Sequence, residues 1–289
     1  MANNPVMSRN PYFNAQAATP NAYPTTGQGV PQAGSFQGQT GYDQFSQAQP
    51  EAQQQFQQYA SPFQPQTTTT MTYDDAMVKT FILLAAAIVS GIATAILVPL
   101  DYILPVAVVA SIGAFVLGMV ASFQRVVKPG FAIGYAVLEG ICLGGLTYVL
   151  NLMYPGVASQ AVLGTVVVVA VAAGLHVSGK VRTTPKGRRV VLTVMIAAII
   201  YGFINIILLM TGLASGWGLY SGSIGIVLGL VMIAVGGYML IGDLELVKTA
   251  VAKGAPSEFA WTCAFGIVMT ILWIYIEMLR LVSIIASQR

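Results

Sequence analysis

Four ionisable side chains interrupt long apolar runs of this chain: Glu139, Asp243, Glu277 and Arg280. A charge among lipid tails is costly, so an ionisable residue in such a run marks either a functional site or a satisfied ion pair. Carboxylates placed there can take up and release protons, offer hard oxygen ligands to a cation such as Ca²⁺, or neutralise a neighbouring base. Two carboxyls sharing one site cannot readily both ionise, so an acidic pair responds to pH. As metal ligands, two carboxylates fall short of the ~6 to 8 oxygens that Ca²⁺ prefers, and water or carbonyls would complete the shell. Arg280 follows Glu277 by three residues, close enough for a pair within one helix. Glu139, in YAVLEGICLGG, equally fits a neutral, hydrogen-bonded acid without a functional task.

Periodicity says which way these groups point. Gly222, Gly229 and Gly236 recur every seven residues, and Asp243 is the next member of the series. Seven residues turn a helix almost twice, so the four share one stripe. Glycine stripes are where membrane helices approach closely, and Gly225 with Gly229 adds a GxxxG spacing. Asp243 is therefore expected to face protein. Gly266 and Thr270 precede Glu277 on one face of the last apolar run, with Cys263 a little off that line, so Glu277 is expected to look inward too.

The elements that must carry these residues are apolar segments near 77–98, 103–124, 131–150, 157–178, 190–211, 219–242 and 259–285. Most match the ~20 residues that cross a ~30 Å hydrocarbon core. Hydrophobic residues are 56% of the chain and charged residues 8%, a balance that excludes an ordinary soluble domain. Pro99, Pro129, Pro155, Pro185 and Pro256 fall in the gaps, where a missing amide donor costs little. Thr72 or Asp74 can cap the first helix. The fold class is all-α integral membrane, a bundle of seven transmembrane helices over residues 71–289.

Residues 1–70 read differently. They hold no Leu or Ile, fifteen Gln and only three charges, and so cannot bury a core. A disordered tail is expected, rich in Gln, Pro, Gly and aromatics, serving as a tether or docking a partner whose identity the composition leaves open. It lacks the pattern of a cleaved signal peptide, which leaves the first apolar helix as an uncleaved signal anchor. Lys79, Arg125, Lys128, the cluster from Lys180 to Arg189, Lys248 and Lys253 all fall on one side of a seven-span chain. The positive-inside rule then places that side and the tail in the cytoplasm, and the C-terminus outside, in a cell inner membrane. A net charge of +3 is explained by these loops, so no nucleic-acid partner is implied. Cys142 and Cys263 lie within apolar runs and offer no disulfide or metal framework.

From Met71 onward the chain resembles the Bax inhibitor-1 and YccA family, the transmembrane BAX inhibitor motif family, in its actinobacterial form. The resemblance rests on MTYDDAMVKT, YAVLEGICLGGL, YPGVASQAVLGT, VRTTPKGRRVV, GDLELVKTAVAKGAPSEFAWTCAFG and WIYIEMLRL together. It implies a seven-helix bundle with the last helix central, and a pH-sensitive calcium leak governed by an acidic pair on the last two helices. Asp243 matches the first acid of that pair, and Glu277, in IYIE, matches the second. Glutamate stands where the family has aspartate, and the interval from 243 to 277 is longer than usual. A second register, through CAFGIVMT, puts Thr270 at the acidic position. A continuous last helix would be about 40 Å long, which could separate the carboxyls of Asp243 and Glu277 by ~10 to 15 Å. Arg125 is an alternative partner for Asp243 on depth alone.

The expected activity is a Ca²⁺ or H⁺ leak across the lipid bilayer, with no cofactor and no covalent chemistry. Asp243 and Glu277 are its ion- and pH-sensing residues and transient Ca²⁺ ligands. A second reading is a non-transporting scaffold or stress-response protein that works through its tail. A serine protease of the rhomboid kind would need Ser215 of GLASG to meet His176, but the topology sends them to opposite sides. A retinal protein would need a lysine in the last span, which has none.

Overall fold

The computed structural model describes residues 69–288. The expectation of a disordered tail falls on residues outside that range, except for Thr69 and Thr70. Seven helices follow: α1 Tyr73–Leu97, α2 Leu100–Ser122, α3 Pro129–Met153, α4 Val157–Val177, α5 Pro185–Met210, α6 Gly222–Ala252 and α7 Phe259–Ala286. All seven are long and apolar enough to cross a membrane.

Local chemistry explains where each begins. Thr72 caps α1 by accepting from Asp75 N at 3.1 Å, with Asp74 and Asp75 in the first turn to meet the helix dipole. Proline opens α3 and α5, where its fixed φ suits the helix and its missing N–H is not needed. The turn into α4 needs the left-handed backbone of Gly156 (φ 92), and Asn151 Oδ1 accepts from Gly156 N at 3.1 Å. Two helices outrun their apolar segments furthest at one end. α5 begins at Pro185, within the basic run, and α6 continues through Asp243 to Ala252. Leu244, Val247 and Ala250 keep one face of that extension buried, so the helix persists where mean hydropathy falls.

The last helix is central. α7 packs against α1, α3, α4 and α6, and its buried residues, from Ala260 to Ile284, cover most of its circumference. Three apolar clusters surround it, and α7 contributes to each: Phe265 and Leu272 to one, Cys263 and Ile274 to another, Leu279 to the third. Lipid tails are as apolar as these side chains, so close van der Waals packing, not water exclusion, holds the helices together. α1 and α3 show this best. A Cβ on Gly144 would lie 2.5 Å from Gly91 Cα, so these two helices touch backbone to backbone.

Hydrogen bonds gather the basic end. Met71 N donates to Ala255 O at 2.8 Å and Ser257 N to Thr69 O at 2.8 Å, which ties the start of α1 to the α6–α7 loop. Lys79 Nζ donates to Asp75 (2.8 Å) and to Ser257 O (3.1 Å). Val127 N donates to Thr262 Oγ1 at 2.9 Å, bringing in the α2–α3 loop. By contrast α5 buries a single residue, Asn205. A 3-10 turn, Gly218–Tyr220, lies between α5 and α6 and packs against both.

Candidate functional site

The glycine stripe of α6 faces α7, as its period predicts. A Cβ on Gly229 would meet Leu281, one on Gly236 would meet Ile274, and Asp243, further along, meets Thr270. Rising numbers on α6 meet falling numbers on α7, the signature of an antiparallel seam. Gly222 leaves the stripe, because it starts α6 with φ 68 and faces open space.

Thr270 donates its hydroxyl to Asp243 Oδ2 at 2.6 Å and is itself 5% exposed. Gly266, one turn earlier on α7, leaves the carboxylate room, since a Cβ there would come within 3.9 Å of Asp243 Oδ1. No lysine or arginine reaches Asp243 among the described residues. The site is thus a carboxylate in a helix seam whose one side-chain partner is a neutral hydroxyl. Such a group can exchange a proton or a cation without first breaking an ion pair.

Glu277 lies seven residues beyond Thr270, about 10 Å along the helix, and is engaged elsewhere. Arg280 NH2 donates to Glu277 Oε2, forming the same-helix pair that their spacing allowed. The structure therefore does not bring Asp243 and Glu277 together: of the two registers, the one with Thr270 opposite Asp243 describes the contact. Arg125 is exposed in the α2–α3 loop and pairs with no carboxylate among the described residues, so depth alone misplaced it as a partner for Asp243. Glu139 is half-buried in α3, and among the described residues no hydrogen bond or ion pair reaches it. No cluster of three or more metal-ligating side chains occurs among the described residues. His176 ends α4 at the basic end and Ser215 follows α5 at the other, so they form no dyad.

The surroundings of Arg280 escaped the sequence. Its guanidinium lies over the ring of Tyr220, 4.3 Å from the centroid, while its Nε is buried without a hydrogen-bond partner among the described residues. Burial raises the Tyr220 phenol above its ordinary range, against the opposing pull of the guanidinium, so the ring meets Arg280 as a neutral π-face. Tyr220 stands edge-on to Tyr201 at 5.0 Å. The turn that carries it is anchored to α5, where Tyr201 donates to Leu219 O (2.7 Å) and Asn205 Oδ1 accepts from Leu219 N (2.6 Å). The Gly218–Tyr220 turn is thus a cap over the buried pair. An aromatic three residues or fewer from a helix start, opposite a lone buried arginine, was the only available signal.

At the basic end the loop between α4 and α5 is clamped onto α6. Glu245 Oε2 accepts from Thr183 N at 3.1 Å and from Thr183 Oγ1, and Tyr238 OH accepts from Thr184 N at 3.0 Å.

No curated protein matches the chain. Residues 4–287 match the family model described as Bax inhibitor 1 like. That span takes in every helix of a bundle built round its last member, and the chain is a multi-pass membrane protein belonging to the Bax inhibitor 1 like family.

Proposed function

We propose that this protein is a pH-dependent cation leak, passing Ca²⁺ or H⁺ across the bacterial inner membrane, with Asp243 as its sensing group. One observation carries the reading: a carboxylate in the α6–α7 seam whose side-chain partner is the Thr270 hydroxyl, with no counter-cation among the described residues. The charged form accepts from Thr270, whereas a protonated Asp243 must share or turn that contact, so proton uptake alters how α6 and α7 meet. Family membership supports a common architecture for this seam. Glu277 serves in this reading as the counter-ion of Arg280 and sets the geometry of the opposite end. The basic end faces the cytoplasm, in keeping with the distribution of Lys and Arg.

The test is Ca²⁺ and H⁺ flux into proteoliposomes from acid to neutral pH, for wild type, Asp243→Asn, Thr270→Val and Asp101→Asn. Asp243→Asn should flatten the pH profile, Thr270→Val should displace it, and Asp101→Asn, an exposed acid in the first turn of α2, should leave it unchanged. A folded wild type without flux would favour the scaffold. An unaltered profile in Asp243→Asn would remove the sensing role.

A further inference from the structure

Five cations crowd ten residues of the α4–α5 connection and the start of α5: Lys180, Arg182, Lys186, Arg188 and Arg189, all exposed. None has a carboxylate within ion-pair distance among the described residues. The acid nearest in the fold, Glu245, is occupied by the backbone and hydroxyl of Thr183. Arg188 hydrogen-bonds to a neutral group, donating to Thr183 Oγ1 at 3.2 Å. Among the described residues these charges therefore form no ion pair, although Arg188 acts on the Glu245 carboxylate through space. They are also held in place, because the clamp through Thr183, Thr184, Glu245 and Tyr238 fixes the loop, and Gly187 packs so tightly on the Tyr238 hydroxyl that a Cβ would not fit.

Directly below these charges runs the barest helix of the bundle. Only Asn205 of α5 is buried, while Leu192, Ile196, Ile199 and Phe203, which share one face, are all exposed. The cationic rim and the apolar strip are continuous along one helix, three of the five charges lying in its opening turns. A soluble anion satisfies the rim and leaves the strip bare, and a neutral lipid does the reverse. We propose that this rim and the adjoining face of α5 form a binding site for an anionic phospholipid, the phosphate on the rim and the acyl chains along the helix. Such a lipid would give α5 the lateral contact that neighbouring helices do not provide.

The attraction of an anionic headgroup corresponds to roughly fivefold in affinity per Lys or Arg, so removing three charges should weaken binding on the order of a hundredfold. The experiment delipidates the full chain in detergent and titrates phosphatidylglycerol, phosphatidylcholine or inorganic phosphate, reading bound lipid by native mass spectrometry and the melting midpoint in parallel. Wild type should retain phosphatidylglycerol over phosphatidylcholine and melt higher with it. Arg182→Gln/Lys186→Gln/Arg189→Gln, which spares the clamp, should lose that preference, and Arg182→Lys/Arg189→Lys should keep it. Arg125→Gln/Lys128→Gln, on the α2–α3 loop at the same end, should also keep it. The proposal is overturned if the triple variant still prefers phosphatidylglycerol, if the α2–α3 variant loses the preference as fully, or if inorganic phosphate raises the midpoint as much as the lipid does.

Discussion

Replacing Glu277 with glutamine deletes one charge of a pair whose members are both largely buried. The Glu277 side chain is 6% exposed and that of Arg280 16%. In Glu277→Gln the guanidinium would keep the face of Tyr220 and lose its charged partner, with its Nε already lacking an acceptor among the described residues. Removing one member of a buried pair costs roughly 3–5 kcal/mol. Arg280 sits near the end of α7 and retains some contact with its surroundings, which favours the lower limit, about 3 kcal/mol. For a domain of this size that corresponds to a fall in melting midpoint of roughly 6–12 °C. Arg280→Met should cost less, because the acid left behind can take up a proton and become neutral. The double variant Glu277→Gln/Arg280→Met, free of any buried charge, should recover most of the loss. Differential scanning fluorimetry in one detergent measures all three. If Glu277→Gln melts like wild type, or the double variant falls by the sum of the two single changes, the pair does not bind as described.

Gly144→Ala forces a methyl to within 2.5 Å of Gly91 Cα and should destabilise by about 1–3 kcal/mol, whereas Gly130→Ala, with open space around it, should melt unchanged. On the orientation proposed above, with the α4–α5 loop inside and the α5–α6 loop outside, Ser215→Cys should react with an impermeant thiol reagent in intact cells and Lys180→Cys only after permeabilisation. The opposite labelling would invert the bundle.

Much of this architecture is legible in the residues because membrane helices obey two simple rules, apolar length and small-residue contact. The seven segments correspond to seven helices, and the spacing of Gly229, Gly236 and Asp243 specifies the rotation of α6. What resisted reading was depth. Hydropathy stops at the first charge, yet hydrogen bonding and a buried face carry α6 through Asp243 to Ala252. That extension determines which turn of α7 lies opposite, and so selects Thr270 over Glu277. A spacing of three residues likewise offered Glu277 a partner in Arg280 and could not say whether a cross-helix acid would compete. Tyr220 was out of reach for a different reason: its place over Arg280 depends on the Gly218–Tyr220 turn folding back onto the bundle, a long-range event with no periodic trace.

The solitary burial of Asn205 in α5 has a meaning for how this sequence can drift. A helix whose contacts are mainly with acyl chains is constrained in composition but hardly in order, since valine, isoleucine, leucine and phenylalanine serve lipid about equally well. A saturation library across 190–210 should therefore show a nearly uniform tolerance for apolar exchanges, broken at Asn205 and at Tyr201, the two side chains that grip the Leu219 backbone. Homologous chains would be expected to diverge fastest along this segment while keeping its hydrophobicity, so that α5 records ancestry poorly and the thickness of its membrane well.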